Sequence, residues 1–327
     1  FSENLIDTLI TTDKDNSPAE VNGDKFIRHL IQTNLFVIPL DTEGVWFRYH
    51  HLFQELLSNQ LKKRYNETEY SEIHFKVARW FEMEGFIDES IEHYLLAGDE
   101  VSAANLVDKH AHTEFLKGVS RVGTWLKKIP VSAKENHPAL LLIQAWYAFG
   151  QFYLEKIPAL LEKAMALIDE KTTDPQILAE INFFQGNFLY WMGDTGESIK
   201  MLKHALNLED TLPVHVRCNA ELILNMALQR SGAGNSQIQD LQKEIKMLGI
   251  GGGYPLAYTF GSLVFVHLLS GNLPKAREVA RQWQIHSTKS KAAYFIAWSH
   301  YSQASANLQM FNLDDALLQF KKAIESR

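Results

Sequence analysis

Cysteine is nearly missing from this chain: Cys218 stands alone among 327 residues. A lone thiol cannot close an internal disulfide, and no cysteine-based zinc pattern occurs. The fold must rest on packing, and a reducing cytoplasm is the expected compartment. A basic surplus is missing too. The net charge is −7 and the sequence pI about 6.0, which excludes a chain that holds nucleic acid through phosphate attraction alone. No uncharged apolar run approaches the ~18–20 residues that a membrane span needs. The most apolar stretch, "GSLVFVHLLSG" (261–271), is far too short. No signal peptide is expected at its opening, and with no span-length apolar run no membrane partner is expected.

Reaction chemistry is equally hard to find. No G-x-x-x-x-G-K-[ST] phosphate cradle occurs. "GIGGGYP" (249–255) is glycine-rich but has no lysine after it and no strand before it. His110 and His112 lie two residues apart, on different faces of a helix, and make a poor metal pair. No Ser/His/Asp or Cys/His set has supporting context. The expectation is a non-enzymatic chain with no catalytic residue, no metal ligand and no cofactor of its own.

What is present is helical periodicity. Leu5, Ile6, Leu9 and Ile10 recur at helical spacing behind Ser2, a plausible N-cap, and Phe26, Ile27, Leu30 and Ile31 repeat the pattern. The polar segment 11–20 between them reads as a loop. "NLFVIPL" and "VWFRYH", joined by "DTEG", predict a β-hairpin whose first strand lies at an edge, because Pro39 lacks an amide proton. "HLFQELLSNQLKKRY" follows as a helix with Leu52, Phe53, Leu56, Leu57 and Leu61 on one face. Lys62, Lys63 and Arg64 close its last turn, where cations suit the helix dipole. Helices, a two-stranded wing and another helix predict a winged-helix-type unit over residues 1–70. Its presumed second helix carries only Lys25 and Arg28, so DNA binding does not follow.

Residues 71–135 read as a helical linker or first helical hairpins, and residues 136–327 as a superhelical array. Five turns resemble one another, and each carries a small residue five places after its first position: Ser90, Ala103, Ser198, Ala276 and Ala316. The later turns begin at Gly193, Gly232, Gly271 and Phe311, in steps of 39, 39 and 40 residues, with Gly150 a further 43 before the first. Such a period marks stacked helical hairpins of tetratricopeptide type, stretched from the usual ~34 residues. Gly186 and Ala304, seven before their turns, and Ala205 and Ala323 in the second helices fit close packing. Asn225, Val264 and Trp283 depart from it. The opening at Phe1 and the stop inside a repeat pattern lead us to expect a piece of a longer protein.

Three blocks, "NLFVIPLD...WFRYHHLFQELL", "EIHFKVARWFEMEGFIDESIEHYLLAGDEVSAANLV" and "WLKKIPVSAKENHPALLLIQAWYAFGQF", together resemble the MalT-like branch of the LuxR transcriptional activators. The resemblance implies a mainly α fold: a winged-helix-type unit with a β-hairpin, then a tetratricopeptide-like superhelix that senses a signal. It also implies a longer protein in which an NTPase domain binds ATP or ADP and a C-terminal helix-turn-helix binds DNA. The partners so implied are that NTPase domain and a small-molecule inducer or regulatory protein. In related ATPases a histidine at the hairpin-to-helix junction reaches the β-phosphate of ADP, and the resemblance assigns this nucleotide-state sensing to His50 in "YHHL". The plainer alternative is a His50 packed on the hairpin aromatics and hydrogen-bonded to a carbonyl. His51 is expected to be structural.

By the tetratricopeptide analogy, residues two, three, six, ten and thirteen before each turn face the inner wall. That rule selects Asn187, Tyr190 and Trp191, then Gln229 and Arg230, then Tyr258 and Phe265, then Trp298 and Tyr301. Aromatics beside amides and an arginine could grip a sugar or peptide by stacking and hydrogen bonding. The same aromatics could equally be core between repeats. A protein–protein scaffold with no small ligand is the competing function.

Overall fold

The computed structural model describes residues 1–12, 22–33, 35–169, 173–207, 212–232, 234–249 and 252–326. The loop expected over 11–20 falls largely outside them, as do residues 250 and 251 of the glycine-rich joint. The described residues are 79% helical, with a two-stranded antiparallel hairpin. Two compact units emerge, residues 1–111 with 120–140, and residues 112–119 with 141–327.

The first unit opens with α1 (Glu3–Thr12) and α2 (Gly23–Gln32), then β1 (Val37–Pro39), β2 (Phe47–Tyr49) and α3 (His51–Arg64). Ser2 Oγ accepts the Leu5 amide at 3.4 Å, and Asn22 caps α2 through the Lys25 amide. β1 and β2 pair Val37 with Tyr49 and Pro39 with Phe47. Asp41 closes the turn between them by accepting the amides of Val45 and Trp46 at 2.9 and 2.8 Å. These bonds hold the Asp41 carboxyl below the usual carboxylate range. Leu5 packs with Val77, Trp80 and Phe81 of α4 (Glu67–Met83), so the front helices share their core with the helix that follows the wing. The stripe on α3 does not join that core. No residue of α3 is buried, and Leu52 is 62% exposed.

Helices α5 (Ile87–Leu96), α6 (Glu100–Phe115), α7 (Ser120–Lys128) and α8 (Val131–Glu135) follow, then α9 (Pro138–Gly150). Asn66 and Glu69 form a reciprocal capping box at the start of α4. Trp125 of α7 is wholly buried and donates its indole N–H to Asp88 of α5, which also binds Arg121. Burial opposes ionisation of Asp88, but those donors keep its carboxyl below the ordinary range.

The second unit continues with a 3-10 turn (Leu154–Lys156), α10 (Ile157–Ala166), α11 (Pro175–Met192), α12 (Thr195–Leu206), α13 (Val214–Arg230), α14 (Gly234–Leu248), α15 (Gly253–Leu269), α16 (Leu273–Lys289), α17 (Ala293–Gln309) and α18 (Leu313–Glu325). The repeat turns share one backbone device. Gly193, Gly232, Gly271 and Phe311 have φ of 93°, 89°, 74° and 62°, so each period begins at a left-handed residue that ends the first helix of a hairpin. In the earliest unit that role falls to Phe152, φ 60°, while Gly150 still belongs to α9.

The small residues do what their spacing predicts. Ser90, Ala103, Ser198 and Ala276 are fully buried and Ala316 is 2% exposed. Ser90 and Ser198 donate to the carbonyls of Ala78 and Gly186, each seven places before its turn, at 2.8 and 2.7 Å. The Gly232 hairpin solves the same contact differently. There Gln237 occupies the small-residue position and donates to Asn225 Oδ1 at 3.3 Å, a polar pair in place of close backbone approach. Trp283 takes the place that Ala205 holds in another repeat, and Gly261 makes room for it. A methyl at Gly261 would stand 3.3 Å from the indole.

Candidate functional site

The first helices of successive hairpins line one face of the second unit, and there they enclose a cavity of about 240 Å³. α9 and the segment after it supply Phe149, Phe152 and Leu154. α11 supplies Asn187 and Trp191, and α13 supplies Asn219, Leu222, Ile223 and Met226. α15 contributes Tyr258, Gly261 and Phe265, and α17 contributes Tyr294, Phe295, Trp298 and Tyr301. Among the described lining residues, Trp283 alone comes from a second helix. The alternation follows from stacking: second helices pack outward against their neighbours, leaving first helices to define the inner face.

Six of the nine inner-wall residues selected from the sequence line this cavity: Asn187, Trp191, Tyr258, Phe265, Trp298 and Tyr301. The other three lie elsewhere. Tyr190 is buried in the unit's core, and Gln229 is half-buried away from the cavity. Arg230 is exposed. It lies over the Tyr190 ring at 5.8 Å and reaches the Tyr190 carbonyl at 3.4 Å, closing the end of α11. Asn219, Leu222 and Met226 were missed, although they sit thirteen, ten and six residues before Gly232. The spacing rule already contained them. Phe149 also went unselected: it sits three places before the left-handed Phe152, whereas the turn of that hairpin was read at Gly150, and Phe152, as the turn residue itself, lies at none of the offsets.

The cavity has a floor and a mouth. Tyr258, Trp283, Phe295, Ile223 and Met226 are buried at the floor, whereas Trp191 is 67% exposed and Tyr294 and Tyr301 are about half exposed at the mouth. Trp298 is central among the mouth aromatics, with Tyr301 at 5.4 Å and Phe152 and Phe265 at 6.3 Å. Of the polar groups at the floor, the Trp283 indole N–H is buried without a partner, and the others are engaged. Asn219 donates to the His215 carbonyl at 2.7 Å and accepts from Tyr258 Oη at 3.3 Å. Burial raises the Tyr258 phenol well above its ordinary range, so it stays neutral. Asn187 accepts the Trp191 indole N–H at 3.1 Å through Oδ1, which leaves its amide nitrogen available to an occupant. Among the described residues, no Asp, Glu, Lys, Arg or His lines the cavity.

Behind this wall a buried polar knot ties α9, α11, α13 and the last turn of α6 together. Glu180 accepts Trp146 Nε1 at 2.7 Å and Gln176 Nε2 at 3.1 Å, and His112 Nε2 lies 3.4 Å away. His215 stacks on His112 with ring centroids 5.0 Å apart, and burial holds its pKa well below the ordinary value. The partners of His112 come from distant helices, which no local spacing discloses. In the first unit, His50 occupies the N-cap of α3 at the hairpin-to-helix junction. Its amide donates to the Phe36 carbonyl at 2.8 Å, its side chain makes no capping bond, and its ring lies 4.3 Å from that of His51.

Residues 1–69 match the family model described as the MalT winged helix domain. A curated relative, the HTH-type transcriptional regulator MalT of Yersinia enterocolitica, is 28% identical over 191 residues, covering 58% of this chain and 21% of the relative. A solved structure from Pyrococcus horikoshii, a signal transduction ATPase with numerous domains (STAND) with a tetratricopeptide repeat sensor, superposes with a TM-score of 0.59. It does so at 14% identity, covering all of this chain and 50% of that one. The fold is therefore that of a winged-helix unit followed by a tetratricopeptide-like array. Residues 1–69 thus resemble a MalT winged helix domain, and 58% of the chain aligns with a transcription regulator of the MalT type. The chain spans about a fifth of the length of the curated relative.

Proposed function

We propose that this chain is the signal-sensing middle region of a MalT-type transcription regulator, and that the cavity on the inner face of the second unit receives a small-molecule inducer. The observation that carries the reading is the cavity itself: partly enclosed, aromatic, uncharged, and built from the repeat positions that face inward. A scaffold for protein partners would instead offer a long groove with charged walls. The winged-helix unit over residues 1–70 relays occupancy to an NTPase domain elsewhere in the full-length protein. His50 supports that relay, because an imidazole beside the α3 N-terminus can donate to a nucleotide phosphate at the positive end of the helix dipole.

The mechanism is a population shift. An inducer that prefers the open arrangement weakens the grip on ADP and favours the ATP-bound assembly. It does so only by the difference between its affinities for the two states. A tenfold difference corresponds to about 1.4 kcal/mol. Calorimetry of candidate effectors with the full-length protein, loaded with ADP and then with ATP, tests this. Unequal affinities support the sensor. Equal affinities for every ligand that enters the cavity refute it. His50→Ala in the full-length protein is expected to speed ADP release about tenfold, on the loss of one hydrogen bond to a charged group.

A further inference from the structure

We infer that the cavity selects an uncharged, flat molecule about two fused rings in size with one or two polar groups, rather than an oligosaccharide. The inference rests on the sensor reading above and specifies its ligand class.

Size comes first. A dry cavity of roughly 150 Å³ holds a benzene ring, and this one measures about 240 Å³. The difference admits a second fused ring, not a chain of sugar rings. Charge comes next. Among the described residues no ionisable side chain other than tyrosine lines the walls, and burial keeps the Tyr258 phenol at the floor neutral. An ionic ligand would surrender its hydration with no partner to replace it. Hydrogen bonding decides between the remaining neutral classes. Asn219 is engaged on both its oxygen and its nitrogen, Tyr258 donates to Asn219, and the Trp191 indole is bound by Asn187. Asn187, itself only 8% exposed, keeps an amide nitrogen to offer, and the Trp283 indole N–H is buried without a partner. Each sugar ring carries several hydroxyls, and most would meet aromatic carbon here without a partner. A planar ring system instead stacks against Trp298 and its neighbours and places one carbonyl on Asn187.

Isothermal titration calorimetry with 2-quinolone, its charged relative quinoline-2-carboxylate and a linear glucose trisaccharide tests the inference on the chain as described. The expected order places 2-quinolone at least ~10-fold tighter than either comparator. Asn187→Asp keeps the size and the acceptor for Trp191 but removes the amide donor, and should weaken 2-quinolone about tenfold. Trp298→Ala should weaken it by a similar ~10-fold factor through lost stacking. If Trp298→Ala fails to fold, Tyr301→Ala at the exposed mouth replaces it. A trisaccharide that binds more tightly than 2-quinolone, and loses affinity in Trp298→Ala, overturns the ligand class and leaves the sensor reading standing. No binding of 2-quinolone, or binding indifferent to Asn187→Asp and to the aromatic variant, also overturns the class. The sensor reading falls separately, on the nucleotide-state comparison.

Discussion

Gly186→Ala isolates the contact on which the repeat packing depends. Seven residues before its turn, Gly186 faces Leu202 across the α11–α12 crossing. A methyl there would lie 2.7 Å from Leu202 Cγ and 3.2 Å from the Leu202 amide nitrogen, well inside the ~3.5–4.0 Å optimum for carbon contacts. Helix propensity alone favours alanine by about 1 kcal/mol. Against that, overpacking costs about 1–3 kcal/mol. Separating the helices also stretches the 2.7 Å bond from Ser198 to the Gly186 carbonyl, at about 1 kcal/mol. The net expectation is a loss of about 1–3 kcal/mol. Unfolding of a chain with two compact units need not be a single transition, so hydrogen exchange of the α11 and α12 amides is the appropriate assay. Trimming Leu202 to alanine in the same protein should relieve the clash, giving a favourable coupling of about 1 kcal/mol. A stabilised Gly186→Ala, or strict additivity with Leu202→Ala, would refute the close-approach account.

Three further outcomes are expected. Phe311, 86% exposed at φ 62°, holds a left-handed position that other repeats give to glycine, and Phe311→Gly should raise stability by about 0.5–1 kcal/mol in hydrogen exchange of the α17 and α18 amides; a decrease would show that the ring contributes contacts. Asn225→Ala alone should cost about 1–2 kcal/mol by stranding Gln237, whereas removing both side chains (Asn225→Ala with Gln237→Ser) should be nearly neutral, as read from hydrogen exchange of the α13 and α14 amides; equal losses would contradict the pair. Burial, with the neighbouring His74, lowers His93 to about 4, and the two Nδ1 atoms lie 2.8 Å apart. Because the folded value is below the unfolded value, the stability is complete above pH ~6.5 and is lost as pH falls from there toward 4, about 2 kcal/mol of it by pH 5. His93→Gln should flatten that slope in hydrogen exchange of α4 and α5, and an unchanged slope would assign the loss elsewhere.

The architecture was legible because two of its constraints act on single residues. A left-handed turn favours glycine, and a close helix crossing demands Ser, Ala or Gly, so Gly193, Gly232, Gly271, Ser90 and Ser198 marked the hairpins in the sequence itself. The wing was legible for a similar reason: "DTEG" supplies a turn and an Asp41 that can close it. What could not be read was partnership across distance. Trp283 occupies an alanine position because Gly261, on another helix, yields the space. Arg230 sits at an inward offset yet folds back onto Tyr190. α3 carries a leucine stripe that the first unit does not bury. Within the cavity, the offsets located the wall, but they did not distinguish a side chain pointing inward from one packed beneath the wall, as Tyr190 is.

The most direct test of the central claim is native mass spectrometry of the purified chain after exposure to the small-molecule fraction of a cell extract. The account predicts one retained neutral compound, released on unfolding and absent from the Trp298→Ala protein. A chain that retains nothing, or retains the same compound with Trp298 removed, would contradict it.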